Sequence, residues 1–201
     1  RQNDTRLVLP IPIYEISDDI SLLEMEKLYV LMNINEPDYV QVMQMVSISN
    51  KSSKMVASTD PNKAGILSFY LPKQAEKVEF VDGNIGERYI KTDYGFIDTI
   101  PILPGQDTYQ NMIAFILPYK QKLEYVQLLP LKVRELMVFI PLERDNQPIK
   151  VKADKLNYYG KQNIDGIEYQ IYKGGEFKPQ EKLQFIINFS SPDISFKNWV
   201  T

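Results

Sequence analysis

Four acidic residues raise the question of chemistry first. Glu79, Asp82, Asp98 and Glu168 fall on or beside segments that read as strands. A pair of carboxylates held about 5–10 Å apart across a cleft is what glycoside hydrolysis requires. Isolated acids on the solvent face of strands give the same pattern, and two small sandwiches offer no deep cleft, so hydrolysis is not the expectation. Asp18-Asp19, Asp82-Gly83-Asn84 and Asp145-Asn146 carry the oxygen donors that Ca²⁺ takes. None follows a spaced calcium-loop pattern, and Asp and Asn bonding their own backbone in turns accounts for them. Whether a metal binds there is left open.

Tyrosine is the other chemistry-bearing residue. Tyr158, Tyr159 and Tyr172, with Tyr169 beside them, concentrate in the second half. Exposed rings of this kind stack on sugars, and Tyr158, Tyr159 and Tyr172 are the candidate ligand contacts. Hairpin chemistry at Tyr159-Gly160 and cross-strand packing of Tyr169 and Ile171 on one face are the plainer readings. Met43, Met45, Met112 and Met137 read as core fillers rather than Cu(I) ligands, which recruit His or Cys. No S-x-x-K motif sits at a helix start, so a Ser-Lys dyad is not proposed.

Composition removes whole classes of chemistry. The 201 residues contain no His and no Cys. A Ser-His-Asp triad, a His-ligated metal, a thiolate nucleophile and a disulfide are all excluded. The expectation is therefore a chain that is not an enzyme and needs no cofactor. Twenty-three basic and 26 acidic residues are interleaved, without the basic stripe that nucleic acid demands. No apolar run is long enough to span a bilayer as a helix.

The elements that would position these side chains are strands. Leu28, Val30, Met32 and Ile34 alternate with Tyr29, Leu31 and Asn33 in a strand running from near Ser21 to Asn35, apolar on both faces and so expected between two covering layers. Glu36-Pro37-Asp38 makes a turn, and Tyr39 to Ser49 alternates cleanly. Further strands are expected at Gly65 to Leu71, Lys77 to Val81 and Asn111 to Leu117. A tight hairpin is expected around Asp93-Tyr94-Gly95. The stretch from Ser17 to Leu28 also accommodates a capped helical turn.

The second half echoes the first. Gly95-Phe96-Ile97 leads past a Pro-Gly turn to Phe115-Ile116-Leu117, and Gly166-Ile167-Glu168 leads past Gly174-Gly175 to Phe185-Ile186-Ile187 over nearly the same interval. This predicts an all-β chain of two tandem antiparallel β-sandwich, immunoglobulin-like modules. Residues 1–20 form an extended, Pro-rich lead-in, 21–120 the first module, 121–190 the second, and 191–201 a tail in which Trp199 belongs to a linker. With only Lys120-Gln121-Lys122 between them, the modules are expected to form a fixed rod with few contacts across the link.

The order IPIYE, LYVLMNI, YVQVMQMVSISN, GILSFYLP, AEKVEFVDG, GFIDTIPILPGQ and FILPY resembles a set of uncharacterised cell-surface proteins of Chloroflexi and similar bacteria. In those proteins a secretion signal and often a carboxypeptidase-regulatory-like β-domain precede such a region, and a membrane helix often follows. The resemblance covers roughly residues 9 to 190 and carries no catalytic residue. It implies an extracytoplasmic location, with the membrane reached only through an anchor outside this chain. The function expected is a non-enzymatic structural or interaction domain of a membrane-anchored bacterial cell-surface protein, with an unknown protein or polysaccharide as partner and no nucleic acid. The alternative is a module that binds envelope polysaccharide through its tyrosines.

Overall fold

The computed structural model describes residues 11–189; the first ten residues of the lead-in, the tail and its Trp199 lie outside them. Seventeen strands follow one another among these residues, with one 3-10 turn and no α-helix. The first half supplies β1 (Ile16–Ser17), β2 (Leu23–Asn33), β3 (Tyr39–Asn50), β4 (Met55–Val56) and β5 (Leu67–Tyr70). It continues with β6 (Glu76–Phe80), β7 (Tyr89–Thr92), β8 (Gly95–Asp98) and β9 (Gly105–Pro118). The second half supplies β10 (Lys122–Leu128), β11 (Val133–Pro141), β12 (Glu143–Arg144), β13 (Gln147–Pro148) and β14 (Lys150–Ala153). It ends with β15 (Leu156–Ile164), β16 (Ile167–Gly174) and β17 (Lys182–Asn188). The all-β expectation holds. The turn at Ile20–Leu22 is capped by Asp19, whose carboxylate accepts from the Ser21 amide, and β2 begins directly after it.

One layer is a seven-stranded sheet in the order β15-β16-β11-β2-β3-β9-β6. Opposite it lie two three-stranded sheets, β5-β8-β7 and β10-β17-β14. Period-two alternation builds the core: Leu28, Val30 and Met32 on β2, Val40 and Val42 on β3, Ile113, Phe115 and Leu117 on β9, and Leu136, Val138 and Ile140 on β11 all point inward and are buried. Each such side chain contributes about 1.5–3 kcal/mol by leaving water. Under the β5-β8-β7 sheet the filling is aromatic: Phe69 stacks on Phe96, and Phe80 meets Phe96 edge to face. Under the other sheet Tyr125 stacks on Phe185.

The link at Lys120-Gln121-Lys122 does not separate two cores. Strand β11, from the second half, pairs in parallel with β2, from the first, matching Leu136 with Leu28 and Val138 with Val30. Buried residues of both halves form a single apolar cluster. A buried polar network reinforces the join. Gln44 Nε2 on β3 donates to the Tyr125 hydroxyl and to Gln127 Oε1 on β10, and Gln127 Nε2 donates to the Tyr70 carbonyl of β5 at 2.8 Å. Few contacts across the link were expected, so this is a correction, and its cause is the central pairing of β11 with β2.

The echo between the halves does not carry over to equivalent positions either. Gly95-Phe96-Ile97 lies on β8 in a small sheet, whereas Gly166-Ile167-Glu168 enters β16 in the large one. Phe115 lies in the large sheet and Phe185 in a small one. The paired motifs occupy opposite layers, because any inner strand of a sandwich asks for the same apolar alternation.

Candidate functional site

The tyrosines singled out by sequence are brought to one hairpin but divided between its faces. Tyr158 on β15 stands opposite Tyr172 on β16, and their rings meet edge to face at 5.9 Å. The register slips between Tyr158 and Gly160, so Tyr159 is the extra residue of a β-bulge. Its ring turns to Lys173, whose ammonium sits 5.5 Å from the ring centre. Tyr172 and Lys173 are sequence neighbours in a strand and point to opposite faces. Tyr158 and Tyr159, each more than half exposed, therefore lie on different sides of the sheet. The Tyr172 hydroxyl is committed to Gln170 Oε1 at 2.9 Å, and the Gln170 amide in turn donates to the Pro141 and Ile149 carbonyls. A flat platform of three rings does not form. Tyr169 and Ile171 do share a face, as expected, since Tyr169 pairs with Pro141 and Ile171 with Phe139.

Of the four acids, two meet. Asp98, buried on β8, and Asp82, exposed, both bind the guanidinium of Arg88. Nε of Arg88 lies 3.1 Å from each Asp98 oxygen and Nη2 lies 2.8 Å from Oδ2. The Tyr109 hydroxyl donates to the same Oδ2 at 2.7 Å, and the Ile100 amide donates to Oδ1. Burial works against the charge of Arg88, but the Asp98 carboxylate outweighs it and raises the guanidinium pKa further. Burial, with the Asp98 charge second, pushes Tyr89 up to about 12 and Tyr109 up as well. With a permanent cation between them, the two carboxylates form a locked ion triad and not a proton-transfer pair. Arg88 and Tyr109 were not singled out by sequence; the only available signal was an Arg ten residues before a strand Asp. Glu79 and Glu168 lie on β6 and β16, away from this triad.

The acidic loops are engaged within the protein, Asp82 by Arg88 and the others in turns or by a neighbouring loop. Asp18 accepts from the Thr59 hydroxyl, Asp19 caps the 3-10 turn, and Asp145-Asn146 adopt the left-handed conformation that closes the β12–β13 hairpin. Among the described residues no three acidic side chains converge as a metal cage.

The methionines are where the structure departs most from expectation. On the large sheet the register aligns two cross-strand rows. One runs Ile171, Phe139, Leu31, Met43, Ala114, and the other Lys173, Met137, Tyr29, Met45, Met112. Both rows lie on the face turned away from the core. Met43 is 40% exposed and Met45 46%, so they are not core fillers, and among the described residues β2 is covered on one side only. Tyr29 donates its hydroxyl to Glu135, and burial with that bond pushes it up to about 12. The face is concave. A groove of about 530 Å³ at one end is walled by Lys77 and Glu79 of β6 and by Ile164 and Asp165 of the β15–β16 hairpin, from opposite edges of the sheet. A second hollow of about 370 Å³ opens beside Met45 and Met112.

No family model matches the chain, and no curated protein matches it. Among solved structures, a variant of an M1 zinc metallopeptidase from Deinococcus radiodurans, bound to a Tyr-Ser-Ala substrate, is similar with 8% identity and a TM-score of 0.44. The similarity covers 83% of this chain and 42% of that one, so the chain spans less than half of the peptidase. The yeast delta-COP-I μ-homology domain is similar over 91% of this chain and 78% of its own, at 9% identity and a TM-score of 0.24. The same domain complexed with a Dsl1 WxWxV peptide gives 8% and 0.25. Likeness at these levels carries no argument about this chain.

Proposed function

We propose that the chain is a non-enzymatic interaction domain that works outside the cytoplasmic membrane of a bacterial cell, held there by an anchor beyond these 201 residues. The observation that carries the interaction reading is the outer face of the large sheet, which no other layer of the described residues covers. Antiparallel sheets with one solvated face ordinarily turn polar side chains to water. Here Leu31, Met43, Met45, Met112 and Phe139 form a contiguous apolar surface across four strands. Apolar patches of this kind mark docking sites, and flexible, polarisable methionine suits a surface that must fit a partner's side chains. The occupant is a protein, because exposed Met43 and Met45, flanked by Leu31 and Phe139, match apolar side chains rather than sugar hydroxyls. The resemblance to Chloroflexi cell-surface proteins supports the location.

Two experiments test the two parts. In the full-length protein in its own cells, a photo-crosslinking residue at Met45 is expected to capture a protein, while the same residue at exposed Lys152 on the opposite layer does not. Equal or absent capture at both positions would overturn the interaction reading. These 201 residues hold no Cys, so Tyr159→Cys adds a thiol that the parent domain lacks. A membrane-impermeant maleimide should label it in intact cells, and labelling only after lysis would overturn the location.

A further inference from the structure

The two small sheets are joined where Gln127 of β10 donates to the Tyr70 carbonyl of β5, and over this seam lies a cleft of about 900 Å³, larger than either hollow on the opposite layer. Its floor is the outer face of β10, Val126 and Leu128, and its walls are the Leu71–Ala75 loop and the tip of the β7–β8 hairpin. The hairpin tip is held in place. Thr92 pairs with Gly95 across a two-residue loop, and the Leu71 amide donates to the Tyr94 carbonyl at 2.9 Å. This anchoring fixes the backbone at Tyr94, whose ring lines the rim and is 72% exposed. No sequence feature had marked Tyr94 as anything but a turn residue.

Three lysines, Lys73, Lys91 and Lys182, line the same cleft. All three are exposed, and none makes an ion pair with another described side chain. The acids present are Asp93 and Glu124, and Glu124 is already held by Lys122 at 2.7 Å. The cleft is thus net positive on a chain whose formal net charge is −3. The local sign runs against the global one, and field lines focus in a concave site. The volume is of the size that admits a small ligand.

We propose that this seam cleft binds an acidic oligosaccharide, one bearing uronic-acid carboxylates. The Tyr94 ring gives an exposed aromatic surface for the apolar face of a sugar ring. Val126 and Leu128 give an apolar floor, and the three lysines supply point charges for carboxylates spaced along a chain. The site shares no residue with the methionine face, so the failure of either proposal leaves the other standing.

The test is titration of the folded domain with three tetrasaccharides, oligogalacturonate, oligomannuronate and hyaluronan, monitored by NMR shifts and calorimetry. A neutral glucan tetramer and a glutamate-rich hexapeptide serve as comparators. Saturable binding of at least one uronate, weakened at least tenfold by Tyr94→Ala and again by Lys73→Gln with Lys91→Gln, and weakened by salt, is the expected result. Tyr94, Lys73 and Lys91 are exposed, so these variants keep the fold, and circular dichroism melting verifies it. Lack of binding to all three uronates would overturn the proposal. Equal binding of the neutral glucan would remove the role of charge, and equal binding of the peptide would reduce the site to a nonspecific cationic patch; either result overturns it. So would affinity that survives the substitutions.

Discussion

Arg88 holds Asp98 through both carboxylate oxygens, and it does so where the Asp98 side chain is only 2% exposed. The pair staples the β7 end of the small sheet to the core, because Tyr109 of β9 donates to the same carboxylate. Breaking a buried pair by removing one partner leaves a charge uncompensated, at a cost of about 3–5 kcal/mol. Arg88→Ala is expected to destabilise by that amount. Arg88→Lys should restore only part of it, since an ammonium lacks the planar fork. The contact to exposed Asp82 adds little. Urea midpoints measure both variants, and an unchanged midpoint for Arg88→Ala would mean that Asp98 is solvated.

Phe115 is 2% exposed on β9, inward with Ile113 and Leu117. Phe115→Ala removes its transfer free energy and leaves a cavity between β9 and the facing layer, costing about 3–5 kcal/mol. Ile116, its neighbour on the outer face, is half-buried, and Ile116→Ala should cost clearly less. If both variants unfold at the same denaturant concentration, the facing of β9 is wrong.

Much of the layer structure was legible in the sequence, because inner strands write a period of two. Tyr39 to Ser49, the turn at Glu36-Pro37-Asp38 and the hairpin at Tyr94-Gly95 all appear where the alternation and turn residues put them. What was not legible is pairing between distant strands. Nothing in the residues of β11 says that it lies parallel to β2, and that one pairing merges the two expected cores. Leu31 read as evidence for a second covering layer and Met43 as a core filler, when both lie on an outer face. Periodicity separates the two faces of a strand but does not say whether each is covered. The placing of Tyr158 and Tyr159 was not legible for a related reason: a bulge is invisible in composition, yet it sends adjacent rings to opposite sides.

Methionine oxidation reads that outer face directly. Met43 and Met45 are exposed, while Met25 and Met32 are at most 2% exposed on the inner face. In dilute peroxide, mass spectrometry should find sulfoxide at Met43 and Met45 well before Met25 or Met32, with little loss of fold. Protection of Met43 and Met45 in the isolated, monomeric domain would show that something in the chain covers them.

The buried tyrosines set the alkaline limit of stability. Burial, with the bond to Glu135 second for Tyr29 and the Asp98 charge second for Tyr89, raises both to about 12 from 10.0. Burial raises Tyr109 and Tyr125 also. In the unfolded chain a tyrosine ionises near 10. Between those values the folded state binds more protons than the unfolded one, so stability falls as pH rises. It is complete below about pH 10 and is lost as pH climbs through about 12. The rings of Tyr89, Tyr109 and Tyr125 should therefore ionise together with unfolding, seen as a late, cooperative rise in tyrosinate absorbance. A single smooth titration with the fold intact would contradict this.

Gly95 carries the hairpin that presents Tyr94. Its φ is +150°, and a Cβ there would lie 2.0 Å from the Phe69 carbonyl oxygen, closer than any contact tolerates. That oxygen belongs to β5, the direct partner of β8, so the backbone cannot yield without disturbing Phe69 and Phe96, which stack at 5.0 Å. Gly95→Ala should cost about 1–3 kcal/mol through backbone strain, with further loss if the aromatic stack shifts. Tyr94→Ala, one residue away and exposed, should stay within about 0.5 kcal/mol of the parent. Thermal denaturation of the two variants separates the residue that shapes the cleft from the residue that faces a ligand. A Gly95→Ala protein as stable as the parent would mean that the β5–β8 register is not the one described.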